Sequence, residues 1–266
     1  MTTRTSPWPP GVPCWADLSA PDLDAARAFY GAVLGWSFQA SGEEYGGYVL
    51  AQVDGRPVAG LAPQQSADQP PAWTLYLATD DADKTAAAVS EYGGTVIFAP
   101  MDVGPLGRML IASDPTGAFF GAWSAGEHIG AGLVNEPGGL GWEDLRSLDP
   151  DAARTFYGGV FGYEFNALEA AGPDYTTFHL GGDPAPLGGM GGMFGAPEGT
   201  PSHWLVYFGV ADVDAAHEAV GGNGGQVLAP AFDTPYGRMS AVTDPAGAVF
   251  WLVRPNPDLP LPDRTG

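Results

Sequence analysis

The sequence has almost no cysteine and little positive charge. Cys14 is the only cysteine among 266 residues, which excludes an intramolecular disulfide and a cysteine-based zinc cluster. Ten lysine and arginine residues stand against 31 aspartate and glutamate residues, and the formal net charge is −21. Because phosphate binding needs clustered basic side chains, this balance argues against nucleic acid as a partner.

Long apolar runs are also missing. No window reaches the roughly 18 apolar residues that a membrane span requires, and the first residues lack an apolar stretch of signal-peptide length. These absences predict a soluble, cytoplasmic protein with no membrane partner. The chain is nevertheless 45% hydrophobic and 12% aromatic, so it can bury a sizeable core. Its 40 glycines and 26 prolines therefore indicate turns between many short elements.

The chain contains an internal duplication. At a shift of 127 positions, residues 15–35 match residues 142–162 at 13 of 21 positions, and at a shift of 130, residues 107–120 match residues 237–250 at 8 of 14. We therefore expect two similar domains. The predicted division is a first domain at 12–124, a glycine-rich linker at 125–139 without strand or helix periodicity, a second domain at 140–254 and a frayed tail at 255–266.

Each half shows the same alternation of local signals. Predicted strand 14–19 precedes a helix that Asp22 can cap and Gly35 can end, and a second helix is predicted over 82–92. The other predicted strands of the first half are 36–40, 48–53, 57–62, 73–79, 95–99, 108–112 and 118–123. Each half is therefore βαβββ followed by βαβββ, with the fifth strand of the second half at 204–210 and its second helix at 212–219.

Two short motifs occur once in each half. They are Phe-Tyr-x-x-Val-x-Gly at the end of the first helix and Asp-Pro-x-Gly-x-x-Phe before the last strand. With the βαβββ order, they make the chain resemble the vicinal oxygen chelate superfamily, which includes glyoxalase I, extradiol dioxygenases, fosfomycin-modifying enzymes and bleomycin resistance proteins. The resemblance implies an α+β fold, in which four βαβββ modules form two cup-shaped, mostly antiparallel sheets with helices on the convex faces. A small molecule would bind in a cup.

The metal-ligand positions implied by this resemblance are occupied by unsuitable residues. Metal-using members have a His fourteen residues before the Phe of Phe-Tyr, a His that opens the fifth strand, and a Glu seven residues after the Asp of Asp-Pro-x-Gly. The corresponding residues here are Trp15 and Trp142, Thr74 and Leu205, and Gly121 and Trp251. These side chains cannot form a divalent-metal site, so we expect no metal and no other cofactor.

Strand alternation predicts which side chains face the cups. If position 15 faces inward, so does position 17, and the same parity applies to the fifth strand. The predicted ligand-binding residues are Trp15, Asp17, Tyr76, Gly121, Trp142, Asp144, Tyr207 and Trp251. Because a glycine stands where the second half has a tryptophan, the first cup should be roomier. Whether neighbouring or exchanged modules build a cup stays open, and so does a purely structural role for these aromatic residues.

The candidate acid–base residues are Asp17, Asp144 and His203. One alternative is that each aspartate accepts hydrogen bonds from the backbone or from an arginine, for example Arg108 or Arg238 of the duplicated Gly-Arg-Met motif. A carboxylate paired with an arginine would remain ionised. The other is that a buried, unpaired carboxylate has a raised pKa and serves as a general acid or base. None of the four histidines is duplicated or has metal-ligand spacing, and His203 is singled out because it lies beside the predicted fifth strand.

The resulting functional expectation is a metal-independent glyoxalase-like or bleomycin-resistance-like protein that binds an apolar or aromatic small molecule, such as a natural product. The alternative is a glyoxalase-like or hydroxylase-like enzyme that uses Asp, Tyr or His as acid–base groups on a small organic substrate. A third reading makes one half purely structural, with Trp251 filling its cup. Since a duplicated chain can pair its own modules, we expect a monomer or a weak homodimer.

Overall fold

The computed structural model describes residues 2–172, 174–183 and 185–258. The part of the predicted tail from 259 to 266 lies outside these described residues. Among the described residues, no helix has the length and apolar character needed to cross a membrane.

The first half forms an eight-stranded sheet with two helices. A short strand, β1 (Thr2–Thr3), precedes it. Its strands are β2 Pro13–Ala20, β3 Ser37–Ala40, β4 Val49–Val53, β5 Arg56–Pro63, β6 Ala72–Ala78, β7 Thr95–Asp102, β8 Gly107–Ser113 and β9 Phe119–Ala125. The helices are α1 Leu23–Leu34 and α2 Ala82–Glu91, and single 3₁₀ turns occur at Glu43–Tyr45 and Gly104–Leu106.

The second half repeats this arrangement. A two-residue strand, β10 (Leu133–Val134), leads into it. Its strands are β11 Leu140–Arg146, β12 Tyr163–Ala167, β13 Thr176–Leu180, β14 Gly188–Gly191, β15 His203–Gly209, β16 Gln226–Thr234, β17 Gly237–Thr243 and β18 Val249–Pro255. The helices are α3 Pro150–Phe161 and α4 Val213–Gly222, with a 3₁₀ turn at Glu169–Ala171.

Each cup is built from neighbouring modules of one half. The strand order is β3-β4-β5-β2-β6-β9-β8-β7 in the first sheet and β12-β13-β14-β11-β15-β18-β17-β16 in the second. Strands β2 and β6 are antiparallel and join the two modules of the first half, and β11 and β15 do the same in the second. The expected α+β fold of four βαβββ modules in two cup-shaped sheets is thus confirmed, and the open question of module pairing is answered.

Local capping explains why the helices begin and end where they do. The Asp22 side chain accepts hydrogen bonds from two backbone N–H groups at the start of α1, and Gly35 ends the helix with a left-handed φ of 70°. Asp149 and Gly162 have the same roles in α3, where the φ of Gly162 is 72°. The duplicated capping residues therefore place the two long helices at equivalent points of the two halves.

One hydrophobic core runs through both halves. Helix α1 packs beside α4, and α2 beside α3. The Tyr30 hydroxyl, on α1, donates to Asp244 of the second half at 3.2 Å, and the Tyr157 phenol, on α3, lies close enough to Asp114 of the first half for the two groups to interact electrostatically. The tyrosine of each Phe-Tyr motif is thus paired with the aspartate of the Asp-Pro-x-Gly motif in the other half.

The predicted linker is more ordered than its sequence indicates. Strand β10 pairs antiparallel with β1 and parallel with β11, although residues 125–139 show no strand periodicity. Upstream of β10, the backbone N–H of His128 donates to the carbonyl of Leu106 at 3.0 Å, and that of Ala131 donates to Cys14 at 2.7 Å. The linker therefore runs along the first sheet, because backbone hydrogen bonds replace the missing side-chain pattern.

Candidate functional site

The predicted cup residues meet at the centre of each sheet. In the first sheet, Trp15 lies opposite Tyr76, Tyr76 opposite Gly121, and Asp17 opposite Thr74. Residues paired across strands share one face, so these side chains point to the same side. In the second sheet, the matching pairs are Trp142 with Tyr207, Tyr207 with Trp251, and Asp144 with Leu205.

Among the residues that the structure describes, the donors around the carboxylate of the first cup are all neutral. The Trp15 indole Nε1 lies 2.7 Å from Asp17 Oδ1 and 2.8 Å from the Tyr48 hydroxyl. The Tyr48 hydroxyl donates to the same Oδ1 in a short hydrogen bond, and the Tyr76 phenol lies near enough to influence the carboxyl group. Burial raises the pKa of Asp17, and the three donors oppose this rise without reversing it.

The carboxylate of the second cup has the same neutral donors and a cation. Asp144 Oδ1 accepts from Trp142 Nε1 at 2.9 Å and from the Tyr175 hydroxyl at 2.6 Å. Its Oδ2 accepts from the Tyr207 hydroxyl at 2.8 Å and from Arg146 Nη2 at 2.8 Å. Asp144 is therefore held as a buried ion pair, with only 4% of its side chain exposed.

Arg146 has no equivalent in the first half. At the shift of 127, its counterpart is Ser19. The Arg146 guanidinium lies 4.8 Å from the centre of the Phe194 ring and 5.8 Å from that of Tyr175. It therefore interacts with two aromatic faces in addition to the Asp144 carboxylate. The replacement of Ser19 by Arg146 at the equivalent position therefore gives Asp144 a cationic partner that Asp17 lacks among the described residues.

The expected pairing of the two aspartates with Arg108 and Arg238 is wrong. Arg108 instead contacts Asp83 at 3.1 Å and Asp102 at 2.8 Å. Arg238 contacts Asp214 at 2.7 Å and Asp233 at 3.1 Å. Both arginines hold the second helix of their half to an edge strand, because the Gly-Arg-Met motif opens the strand that lies under that helix.

The glycine of the first cup does not leave open space. The Tyr76 ring lies over Gly121, so closely that a Cβ there would be 2.2 Å from the ring. In the second cup, Trp251 stacks on Tyr207 with ring centres 5.2 Å apart. The space expected at Gly121 is therefore filled, because the Tyr76 ring occupies it.

Two further glycines make room for the carboxylate clusters. A Cβ at Gly60 would lie 1.8 Å from the Tyr48 hydroxyl and 2.2 Å from Asp17 Oδ1. A Cβ at Gly189 would be equally close to the Tyr175 hydroxyl and Asp144 Oδ1. Only glycine at these positions of β5 and β14 lets a phenol and a carboxylate meet on the sheet surface.

A histidine from the predicted linker packs on the first cup. The His128 ring meets Trp15 edge-on with centres 4.5 Å apart, and the Trp123 indole donates to the His128 carbonyl at 2.8 Å. Burial lowers the pKa of His128 to about 4, so the ring is neutral at pH 7. Its Nε2 is buried and has no hydrogen-bond partner within the described residues.

The second cup carries its own apolar cluster, separate from the main core. Its buried members are Leu205, Tyr207 and Val253, and its partly exposed members are Trp142, Met239 and Trp251. Phe232 meets Trp251 edge-on with ring centres 6.2 Å apart and is 40% exposed. By contrast, Trp15, Tyr76 and Trp123 of the first cup are continuous with the main core.

Within the described chain, the His203 ring hydrogen-bonds with a backbone carbonyl and not with Asp17 or Asp144. The register of β15 places it opposite Arg146, and its Nδ1 lies 2.8 Å from the carbonyl of Pro201. Of the three candidate acid–base residues, Asp17 and Asp144 therefore hold the equivalent positions at the two cup floors, and His203 stands at the end of the strand.

The residues at the three implied metal positions do not fit a divalent metal. They converge on adjacent strands, but they are indole, threonine, leucine and glycine side chains rather than imidazoles and carboxylates. Within residues 2–172, 174–183 and 185–258, no group of three or more His, Cys, Asp or Glu side chains is arranged to hold a metal ion.

Sequence reasoning missed the two tyrosines that complete the clusters and the two residues that distinguish them. Tyr48 and Tyr175 are duplicates at the shift of 127, and that signal could have found them. Arg146 has no duplicate, and His128 lies in a segment without periodicity, so the repeat gave no signal for either.

Comparison with known proteins identifies related sequences and folds. A family model described as the Glyoxalase/Bleomycin resistance protein/Dioxygenase superfamily matches residues 15–121 and 133–252. The chain is 40% identical over 261 residues to "Putative glyoxylase CFP32" of Mycobacterium tuberculosis (strain CDC 1551 / Oshkosh), covering 96% of this chain and 98% of that protein. It is 38% identical over 259 residues to "Anthracycline biosynthesis protein DnrV" of Streptomyces peucetius, covering 92% and 93%.

Solved structures share the fold at low sequence identity. The Mn(II)-bound glyoxalase from Novosphingobium aromaticivorans matches with a TM-score of 0.64 at 17% identity, covering 92% of this chain and 82% of that chain. The 2,3-dioxygenase LapB from Pseudomonas sp. KL28 matches with a TM-score of 0.65 at 16% identity, covering 95% and 97%. These likenesses show the arrangement of strands and helices.

Proposed function

Because this chain belongs to the glyoxalase/bleomycin resistance protein/dioxygenase superfamily, we propose that it binds an aromatic or otherwise largely apolar small molecule without a metal. The observation that carries this proposal is the composition of the second cup. At the positions where metal-using members hold their ion, this cup presents Trp142, Leu205 and Trp251. An apolar surface at the ligand-binding position of the fold favours an apolar ligand.

The second cup offers an apolar surface and one polar anchor. Trp142, Met239 and Trp251 are partly exposed over the buried Tyr207, and Phe232 extends this surface toward solvent. Arg146 lies beside it as the cation of a buried ion pair. Small-molecule sites commonly combine aromatic walls with a few placed polar groups, and this cup has both.

The names of two relatives agree with this class of ligand. DnrV is named for anthracycline biosynthesis, and anthracyclines are compounds with fused aromatic rings. CFP32 is named as a glyoxylase, which is an activity on a small molecule. These names support a small aromatic or carbonyl-bearing ligand for this chain, such as a natural product, and the cytoplasm as its place of action stays an expectation.

Titration with an anthracycline such as daunorubicin tests the proposal. Isothermal titration calorimetry should detect binding, and the chelator EDTA should leave the affinity unchanged. Because the probe is cationic and the chain has a net charge of −21, binding should be measured in about 0.5 M NaCl, where the Debye length is roughly 4 Å. If no anthracycline or other polycyclic aromatic compound binds, or if EDTA abolishes binding, the proposal fails.

A pair of matched variants locates the site. Phe232 lies opposite Met239 in the second sheet, and Met101 lies opposite Met109 at the equivalent place in the first. Phe232→Ala should weaken binding about tenfold, because it removes aromatic contact area, which corresponds to about 1.4 kcal/mol. Met101→Ala should leave the affinity unchanged. The reverse result would place the ligand in the first cup.

A second candidate function is favoured by the first cup. An enzyme that uses acid–base side chains on a small organic substrate needs a carboxylate that changes protonation near the working pH. Asp17 has no cationic partner among the described residues, and burial raises its pKa, whereas Asp144 is paired with Arg146. This candidate rests on Asp17 alone and not on the second cup.

A further inference from the structure

A cavity of about 320 Å³ lies where three segments of the chain meet. Its walls come from the end of β1 and the residues after it, the turn between β4 and β5, and the segment that joins the two halves. Backbone hydrogen bonds hold these walls together, because the Arg4 N–H donates to the Gly132 carbonyl at 3.1 Å and the Gly132 N–H donates to the Pro57 carbonyl at 2.8 Å. Among the described residues that line the cavity, none belongs to the predicted cup residues. Its size suits a small molecule.

The lining of this cavity carries more positive than negative charge. Two of the ten lysine and arginine residues of the chain, Arg4 and Arg56, line it, and both are half-buried. The one acidic side chain among its described lining residues is Glu127, which is exposed, as is Asp54 in the nearby turn. Solvent and salt screen exposed charges more strongly than half-buried ones. The cavity is therefore a cationic place in a chain whose net charge is −21.

The position of Arg4 is fixed by the residues that follow it. Its Nε donates to the Ser6 carbonyl at 2.8 Å, and its Nη2 donates to the Pro7 carbonyl at 2.6 Å. Its guanidinium also lies 4.8 Å from the centre of the Trp8 ring, whose indole N–H donates to the Ala131 carbonyl at 3.1 Å. A cation that is already held in place loses little side-chain entropy when an anion binds to it.

A third side chain of the lining, that of His128, has an unsatisfied polar atom. Its Nε2 is buried and has no hydrogen-bond partner within the described chain. A buried nitrogen without a partner costs free energy. Because His128 lines the cavity, a bound molecule with an oxygen atom can supply that partner.

The duplicated framework does not account for these three side chains. At the shift of 127, the counterpart of Arg56 is Asp183, and Arg4 and His128 lie outside the two repeated domains. The second half reaches the same fold with the opposite charge at the position of Arg56. The positive lining is therefore not a requirement of the repeated fold.

We propose that this cavity binds a small organic acid through its carboxylate. The carboxylate accepts hydrogen bonds from the guanidinium groups of Arg4 and Arg56, whose planar shape matches its two oxygens. The apolar body of the acid contacts Pro57 and Ile129, which are part of the wall. This site is separate from the apolar surface of the second cup, so it does not depend on the function proposed above.

Benzoate and benzamide test the proposal, because they have the same shape and differ in charge. In an NMR titration of the isotope-labelled full-length protein, benzoate should shift the amide signals of Gly55, Gly130 and Gly132, which line the cavity. Benzamide should bind at least about tenfold more weakly, since it cannot form charge-assisted hydrogen bonds as an acceptor. Inorganic phosphate has the charge but no apolar body, so it should also bind more weakly than benzoate.

Matched arginine variants locate the site. Arg56→Gln should weaken benzoate binding about tenfold or more, because it removes a charged donor. Arg254→Gln changes the net charge equally at an exposed position of β18 and should leave the affinity unchanged. If Arg56→Gln does not fold, Arg4→Gln replaces it, with the same expected loss.

Four results would overturn the proposal. They are no binding of benzoate, equal binding of benzamide, tighter binding of phosphate, and equal affinities of Arg56→Gln and Arg254→Gln. Signals that shift around Trp251 instead of the cavity would place the acid in the second cup and would equally contradict this site. The anthracycline titration measures the second cup separately, so the two proposals can fail independently.

Discussion

The two cups share a framework and differ in charge. Each has a Trp-x-Asp segment on its first strand, a tyrosine whose hydroxyl donates to the aspartate, and a glycine that makes room for both. Within the described part of the chain, only the second has an arginine, Arg146, at hydrogen-bond distance from the carboxylate. After a duplication, one side chain next to a retained carboxylate is enough to give the two copies different electrostatic states.

The cups also differ in what covers them. In the first, His128 from the segment between the halves packs on Trp15, and the indoles join the main core. In the second, Trp142 and Trp251 belong to a separate cluster and remain partly exposed. The segment that joins the two halves can lie on one cup only, so the covalent order of the chain itself makes the cups unequal.

The largest expected effect is that of removing the cation from the second cup. Arg146→Met keeps most of the side-chain volume but leaves Asp144 buried without a counter-charge, which typically costs about 3 kcal/mol of unfolding free energy or more. Ser19→Ala, at the equivalent place in the first cup, should change it by about 0.5 kcal/mol or less. Urea unfolding at pH 7 measures both.

The comparison of these two losses tests the role of the ion pair between Arg146 and Asp144. Equal losses for Arg146→Met and Ser19→Ala would show that the ion pair does not distinguish the cups.

The next effect concerns the cover of the first cup. Because burial lowers the pKa of His128 to about 4 from the ordinary 6.5, the folded state binds fewer protons than the unfolded chain between these values. The His128 contribution to stability is therefore fully present above about pH 6.5 and is lost as the pH falls toward 4. The difference between pKa values of 6.5 and about 4 corresponds to about 3 kcal/mol of unfolding free energy.

His128→Phe keeps an aromatic ring that cannot be protonated. The variant should lose less stability than the wild type between pH 6.5 and about 4, measured as urea midpoints. The raised pKa of Asp17, Asp114 and Asp244 acts in the opposite direction, because these buried carboxyls favour the folded state at low pH. The difference between variant and wild type isolates the histidine, and identical slopes would mean that His128 is not buried on the cup.

Sequence reasoning reached the fold and the cup floors but not their difference. The Phe-Tyr and Asp-Pro-x-Gly motifs, the Asp22 and Asp149 caps and the alternation from Trp15 to Asp17 all act through local hydrogen bonding or strand geometry, which a sequence reveals directly. Arg146 continues the same alternation beyond Asp144, but the repeat marks only Arg108 and Arg238, which are duplicated, as partners for the carboxylates. The place of His128 depends on backbone hydrogen bonds of the linker, which no side-chain pattern encodes.

The smallest expected effect lies where the two halves should behave alike. Tyr30 donates to Asp244 and accepts from the Trp73 indole at 3.2 Å, and Tyr157 lies near Asp114 and accepts from the Trp204 indole at 2.8 Å. Tyr30→Phe and Tyr157→Phe each remove one hydroxyl and leave a buried indole N–H without its acceptor. Each should therefore lower the unfolding free energy by about 2 kcal/mol.

The two tyrosine variants should agree to within about 0.5 kcal/mol in urea unfolding, and Tyr236→Phe, whose residue is 37% exposed, should change little. Agreement would confine the inequality of the halves to their cups, since the contacts between the halves are made by the same motifs on both sides. A loss confined to one variant would mean that the asymmetry extends through the shared core. In that case Arg146 and His128 would account for only part of the asymmetry between the halves. The rest of the difference would lie in the packing of the helices.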